Sequence, residues 1–398
     1  MHTNCIKNLL NLKDVLVKNI KNLNDKVEIY IEVPKSEQTC PFCGSKTSKI
    51  HDYYKQTIKD IPIYFKPTYL IYNKRRYHCK HCSKNFYESN SIISKYSRRT
   101  LRLTGFVVNE LRNLTSQSDV SKKSNVSTSV ISKMLPYLAV TNYSLPRVLC
   151  IDEFKGNTGN FKYQVALIDG ESHDVVDILE CRHKHSLCEY FKRFPKEQLD
   201  NVKFFVTDLW ETYKDIAFTY FRKAKIIADH FHFARYACDV VNKLRIEVQN
   251  KLPKSERVYF KHSRKLLLSR ACNLKTDEQR DELTNILINY SEDLRIAYAE
   301  TEKEELLDIL HSTEESNIKT KKFSEWVKRN LDSHITQLKE CAKTYQHWYI
   351  EIKNSLEVPY SNGPTEGFNN KIKVLKRVSF GMRSFKNFKA RILLLNRA

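Results

Sequence analysis

Residues 147–180 read RVLCIDEFKGNTGNFKYQVALIDGESHDVVDILE. Three apolar runs lie in this stretch: Arg147–Phe154, Phe161–Asp169 and Asp174–Glu180, the last alternating with period two. Runs of this length bounded by Gly, Asn, Ser and Asp predict three β-strands joined by turns. Downstream, Ser186–Phe194 has helical spacing, and Val202–Thr207 (VKFFVT) is a buried-type strand ending at Asp208. Glu211–Phe221 is helical again, Ala224–Ala228 (AKIIA) is a strand ending at Asp229, and a long helical run begins at His230. Three strands, helix, strand, helix, strand predicts an α/β layer fold.

The acids fall at informative positions in that order. Asp152 lies within the first strand and Asp208 ends the fourth. Sites in α/β sheets gather beyond the carboxyl ends of strands. A carboxylate placed there can hold a hard cation, which then polarises a phosphate. An aspartate between strand and helix also serves as a plain N-cap, so a third carboxylate must discriminate. It lies in YSNGPTEGFNNKIKVLKR, residues 360–377. Ser361 to Pro364 is a turn and helix start, with Pro suited to the first helical position. Glu366 then falls in the first turn, where a carboxylate complements the helix dipole whatever its function. The same helix carries Asn369, Asn370, Lys371, Lys373, Lys376 and Arg377, which sets a metal-binding acid beside cations for DNA.

The N-terminal part is of another kind. Cys40 and Cys43 sit in TCPFCG, and Cys79 and Cys82 in YHCKHCSK. Each C-x-x-C lets two thiolates reach one tetrahedral zinc from a tight turn. His78 and His81 flank the second pair, but the four thiolates alone have the paired symmetry. Between the pairs, Ile61–Phe65 and Thr68–Tyr72 have strand character, so the module reads as zinc-ribbon-like. Four ligands leave no open position for water, which makes the single Zn2+ structural. Next, Thr100–Leu114 has apolar residues at helical spacing. Residues 116–135 (SQSDVSKKSNVSTSVISKML) read as helix, turn, helix, with Val120, Val126, Val130, Ile131 and Leu135 inward and Ser127 or Thr128 as a cap. The exposed face offers Lys133 to DNA, as in a helix-turn-helix.

Composition agrees with a nucleic-acid partner. The 398 residues carry a formal charge of +22, an excess that favours a polyanion through counterion release. The charge is sorted. Residues 74–84 hold five Lys/Arg and no acid, and the segment after Glu366 holds nine and no acid. Residues 277–315 hold thirteen acids against three Lys/Arg. Eleven cysteines, an odd number and mostly isolated, argue against a secreted disulfide framework. No apolar run has spanning length, and Met1–Asn24 lacks a signal-peptide core. The expectation is a protein of the cytoplasm, associated with the nucleoid and not with a membrane.

These motifs together resemble the DDE-class insertion-sequence transposases of bacteria, and within them the ISL-three family. The resemblance rests on CPFC…YHCKHC, IDEF, VTDLW, ADHFHF and TEGFNNKIKVLKR with its trailing SFGMRSFKNFKARILLL, and spans nearly the whole chain. It implies a ribonuclease H-like core, whose strand order the central region already has, interrupted by an all-helical insertion. The expected organisation is a zinc module over 1–92, a helix-turn-helix over 93–145, the core over 146–245 and 346–398, and the insertion over 246–345. The last is free of glycine and rich in acids. Burial in a helical core is the favoured fate of Trp326 and Trp348, ahead of stacking on a DNA base. The family's acidic triad falls on Asp152, Asp208 and Glu366, holding two catalytic Mg2+ ions for which Mn2+ can substitute. Asp229 and His232 match an aspartate-x-x-histidine motif and are expected to support the metal ligands from behind. Expected DNA contacts are Lys74, Arg75, Arg76, Lys133, Asn370, Lys371, Lys373, Lys376, Arg377 and Arg383, and the cations from Lys371 to Arg391 are expected to grip the backbone near the cut. The implied activity is recognition of terminal inverted repeats, Mg2+-dependent strand cleavage and strand transfer into target DNA by a homodimer or larger assembly. Two alternatives share part of the pattern: an inactive DNA-binding regulator descended from a transposase, and a metal-dependent nuclease that cuts without joining.

Overall fold

A computed structural model describes residues 15–90, 93, 97–138, 144–290 and 294–395. The chain divides into two compact units, one of residues 1–140 with 373–398 and one of residues 141–372.

The first unit is built on a five-stranded sheet. Its strands are β1 (Leu16–Asn22), β2 (Val27–Glu32), β5 (Ile50–Ile63), β6 (Lys66–His78) and β7 (Asn85–Tyr87), in the order β1-β2-β6-β5 with β7 also on β6. The pair β3 (Gln38–Thr39) and β4 (Lys46–Thr47) forms a separate two-stranded ladder. Alternation decides which face is buried: Val27, Ile29 and Ile31 of β2 and Leu70 and Tyr72 of β6 point into one core with Ile58. The β5/β6 hairpin is far longer than the two short strands expected. Its outer halves are rich in Tyr, Lys and Arg, which pair as well as apolar residues on an exposed face. Phe65, expected as a strand end, lies in the turn instead.

Three helices follow in this unit, Leu101–Arg112, Gln117–Ser124 and Thr128–Leu138. The first two start at side-chain caps, Thr100 accepting from the Leu103 amide and Ser116 from the Asp119 amide. Asn125 makes the intervening turn with φ 54°. Val120, Val126, Ile131 and Leu135 are buried as expected, together with Ala390 and Leu394 of the last helix, Phe385–Leu395.

The second unit holds a second five-stranded sheet of β8 (Val148–Thr158), β9 (Phe161–Asp169), β10 (Val175–Leu179), β11 (Phe204–Thr207) and β12 (Lys225–Ala228), in the order β10-β9-β8-β11-β12. The first three strands are antiparallel meanders, while β8, β11 and β12 run parallel. Helices Lys184–Phe191 and Glu211–Tyr220 cover one face through Leu187, Phe191, Tyr213 and Ile216, packed on Leu149, Ile151, Val165 and Phe205. A short helix, Lys196–Asn201, was not legible in the sequence.

From His230 to Glu357 the described residues are helical, apart from turns. The 22-residue helix His230–Lys251 is the spine, packed by helices Arg295–His311 and Thr336–His347. Trp326 and Trp348 are buried here, and the Trp326 indole donates to the Glu302 carbonyl at 2.9 Å. The acids of this region are partly internal. Lys303 is buried between Glu300 and Glu304, and Arg329 bridges Glu302 and Glu305.

Candidate active site

Sheet register brings the aspartates together. In the parallel ladders Val206 pairs with Cys150, and Thr207 with Ala228. Two residues beyond Cys150 is Asp152, two beyond Val206 is Asp208, and one beyond Ala228 is Asp229. The three therefore stand at one level across adjacent strands, where β11 and β12 stop and β8 continues. Alternation puts Leu149 and Ile151 into the helix-covered core and turns Asp152 to the opposite face.

The carboxylates differ in their surroundings. Asp152 accepts from the Glu153 amide at 2.7 Å on one oxygen and from the Asn369 side-chain amide at 2.9 Å on the other. Burial pushes its carboxyl up to about 7 despite the Glu153 hydrogen bond, and the negative charge of Asp208 adds to the effect. Burial likewise pushes Asp208 up to about 6, with the His232 ring opposing the shift. Asp229 is buried, and one oxygen accepts from the Asn362 amide at 2.8 Å while the other meets His232 Nδ1 at 3.0 Å. That bond to Asp229 raises the His232 pKa above its ordinary value.

Glu366 arrives on the helix Gly363–Val378, whose last turns from Lys373 belong to the first unit. The helix start is pinned by Asn362, whose side-chain amide donates to the Ile151 carbonyl at 3.2 Å while its backbone meets Asp229. Glu366 itself is exposed, one turn before Asn369. Among the described residues, three or more metal-ligating groups lie within 4.8 Å of one another only at the four cysteines. The structure thus aligns Asp152 and Asp208 across the strands, and the ligand atoms of Asp152, Asp208 and Glu366 do not all lie within 4.8 Å of one another.

Three features here were not read from the sequence. Asn362 and Asn369 are buried, hold Ile151 and Asp152, and each keeps a side-chain oxygen without a hydrogen-bond partner. The signal was their spacing around Glu366. Glu153, next to Asp152, takes a two-oxygen grip from Arg182 at 2.6 and 2.7 Å. Arg182 in turn lies over the rings of Tyr163 and Trp210.

In the first unit, Cys40, Cys43, Cys79 and Cys82 form the expected cluster. The Cys40–Cys82 and Cys43–Cys79 sulfur separations are both 3.6 Å, close to the ~3.8 Å edge of a tetrahedron with Zn–S of ~2.3 Å. Hydrogen bonds to Ser45 pull the Cys43 thiol below its ordinary value, while Cys82, despite a backbone hydrogen bond at Lys84, is held above its own by burial and the neighbouring cysteines. His78 instead bonds Asn85 through Nδ1.

The expected DNA-binding residues differ in exposure. Lys133, Asn370, Lys371, Lys373, Arg377 and Arg383 are exposed. Lys74 and Lys376 are half-buried, as is Arg76, which pairs with Asp52. Arg75 is a correction: it is buried, bonded to Glu88 and the Val33 carbonyl, and is a strut of the sheet. Arg391 is another, fully buried and donating to the Thr115 carbonyl at 2.8 Å. No described helix is long and apolar enough to cross a membrane.

Comparison with known proteins bears directly on this arrangement. Residues 149–392 match a family model described as "Transposase", and residues 36–82 match the "zinc-finger of transposase IS204/IS1001/IS1096/IS1165". The chain is 23% identical over 373 residues to the transposase for insertion sequence element IS1001 of Bordetella parapertussis, covering 91% of this chain and 89% of that protein. A 52-residue stretch is 56% identical to an ATP-dependent protease of Lactococcus lactis, covering 13% of this chain and 17% of that protein. The first family match alone takes in β8 to the final helix, with Asp152, Asp208 and Glu366 inside it, and the second takes in all four cysteines. The chain belongs to the ISL-three family of insertion-sequence transposases.

Proposed function

We propose that this transposase binds the terminal inverted repeats of its element as double-stranded DNA, then cuts and joins DNA by Mg2+-dependent phosphoryl transfer in the second unit. Asp152, Asp208 and Glu366 are the residues that would hold two Mg2+ ions, with Mn2+ able to replace them. The observation that carries this reading is the row of aspartates at one level of β8, β11 and β12, with the helix of Glu366 pinned to the same strands by Asn362 and Asn369. The order β10-β9-β8-β11-β12, antiparallel then parallel, supports a ribonuclease H-like core. The helices within residues 246–345 are then the insertion that separates Glu366 from the other acids.

The residues fit the ions. Asp152 and Asp208 are carboxylates whose bare charge is disfavoured by burial, a cost that a divalent cation relieves. When bound, the ions supply Lewis-acid polarisation of the phosphodiester and a lower pKa for the attacking water. The chain supplies the positioning. Donors on both oxygens of Asp152 fix the plane of its carboxylate. The contact of Asn369 with Asp152 keeps Glu366 within one helical turn, about 5 Å along the axis. His232, held by Asp229, offsets the accumulated negative charge. Recognition falls to the zinc-ribbon-like module and the helix Thr128–Leu138, with Lys74, Arg76, Lys133, Asn370, Lys371, Lys373, Lys376, Arg377 and Arg383 on phosphates. Holding two ends at once requires a dimer or larger assembly.

The test uses the full chain and duplex DNA from the regions flanking its gene. Mg2+ should give a nick at the element end and a joined product, and EDTA neither. Asp152→Asn, Asp208→Asn and Glu366→Gln should each abolish cleavage while end binding persists. Substantial cleavage by any two of them would sink the triad, and cleavage that never leads to joining would make the chain a nuclease.

A further inference from the structure

The tip of the β5/β6 hairpin is chemically out of place. Strand β5 ends at Ile63 and β6 starts at Lys66, so Tyr64 and Phe65 alone make the turn. Both have positive φ, 51° and 60°, as a two-residue type I′ turn demands. That turn favours Asn-Gly or Asp-Gly, because a side chain beyond Cβ gains nothing from the left-handed region and bulky residues are strained there. Both rings are also unpacked, Tyr64 being 80% and Phe65 105% exposed. In the free protein this pair adds strain and exposed apolar surface with no contact in return. A feature of this sort points to an interaction made in a bound state.

The position of the tip narrows the partner. Ile61 packs on the core of the three-helix group, and the Lys59 ammonium donates to the Asn125 carbonyl at 2.6 Å. Asn125 itself donates to the Tyr69 hydroxyl at 3.0 Å. These contacts anchor the hairpin beside the helices of its own unit, and Tyr64 projects about 10 Å beyond Ile61. The hairpin, residues 50–78, carries six Lys and Arg against two acids; Arg75 is held by Glu88 and Arg76 by Asp52, which leaves Lys55, Lys59, Lys66 and Lys74 as its cations. Both acids are neutralised locally, Asp52 by Arg76 and Asp60 by Arg102. Behind the tip, Lys66 bonds Asn22 and the Leu23 carbonyl, with no carboxylate among those partners. Two exposed rings on a cationic, firmly based hairpin are matched by nucleic acid, whose bases stack on aromatic faces and whose phosphates take the charge.

We propose that Tyr64 and Phe65 form an aromatic wedge that enters the end DNA and unstacks one base step, resting on the reading of this chain as an end-binding transposase. The pair Tyr64→Asn with Phe65→Gly tests it without endangering the fold, since Asn-Gly is what the turn prefers. The probe is duplex end DNA with 2-aminopurine placed at successive positions. Wild-type protein should raise the fluorescence at one step and bind at least about tenfold more tightly than the double variant, which should give no such signal. The variant should keep its zinc and melt no lower than wild type. Equal affinity and equal unstacking in the variant overturn the wedge alone. Unchanged DNA binding with a smaller assembly in sedimentation overturns it in favour of a contact between subunits. Wild-type protein that keeps its zinc but binds no end DNA overturns the end-binding reading and the wedge with it.

Discussion

Asn369 holds Asp152 by a 2.9 Å hydrogen bond from its side-chain amide, joining the helix of Glu366 to the strand of the first aspartate. The bond joins residues 217 apart in sequence, and its donor is buried. Groups that orient metal-binding carboxylates typically matter about 10- to 100-fold in metal affinity or activity, by fixing the ligand's plane. Asn369→Ala should therefore lower end cleavage by about that factor and raise the Mn2+ concentration needed for half-maximal cleavage. End binding should hold. Asn369→Asp adds a negative charge beside Asp152 and should be worse at low Mn2+, recovering in part as Mn2+ rises. Titrating Mn2+ against cleavage for both variants separates positioning from a general loss of structure, which no added metal would repair.

Burial of Asp152 and Asp208 makes the stability of the second unit depend on pH in a stated direction. Their folded-state pKa values, about 7 and about 6, lie above the ordinary aspartate value of 3.8. A group with a raised folded pKa favours the fold fully below its unfolded pKa, and that contribution is lost as pH climbs through the folded value. For these two groups the loss falls between about pH 4 and pH 7. A divalent cation binds the ionised form, so its stabilisation should be present at about pH 8 and absent near pH 5. Thermal unfolding of the protein without DNA, with and without added Ca2+, reads this directly. Calcium should raise Tm at the higher pH in wild type and not in Asp152→Asn. An equal rise at both pH values would mean that the ion binds elsewhere.

The sequence displayed the strands of the second unit because buried strands between helices have little choice of composition. Runs such as VKFFVT and AKIIA must be apolar on both faces, and their ends fell within a residue or two of the observed ones. The β5/β6 hairpin was legible only at its centre, since Tyr53, Tyr54, Lys55 and Lys74 sit on exposed or half-exposed strand positions where periodicity carries no signal. The same gap hid the turn at Tyr64 and Phe65, which lacks every residue that normally marks one. Arg75 was read as a surface cation because its neighbours Lys74 and Arg76 are polar. Its partner Glu88 arrives from beyond the second cysteine pair, a contact that only the fold reveals. At the site, acids could be found one by one from strand ends, but Asn362 and Asn369 resembled turn and helix-surface residues. Their role depends on which strand lies beneath them.

Asp229 and His232 supply the last prediction, because two roles for Asp229 lead to opposite results. As a metal ligand it would be needed as a charge. As a support it is needed to accept from the Asn362 amide and to hold His232. Asp229→Asn keeps an oxygen for the Asn362 amide, so the helix start should stay in place and folding should survive. The variant loses the negative charge that raises the His232 pKa, so that pKa should fall, as measured by NMR titration of the ring. A neutral His232 no longer opposes the upward shift of Asp208, and this outweighs the loss of the Asp229 charge, which is the smaller of the two influences on Asp208. Ionisation of Asp208 then needs a higher pH, and the acid limb of the cleavage profile should move to higher pH in Asp229→Asn. His232→Ala should move it the same way. Activity near wild type at high pH in both variants fits the supporting role. Loss of cleavage at every pH in Asp229→Asn, with His232→Ala still active, would instead make Asp229 a ligand.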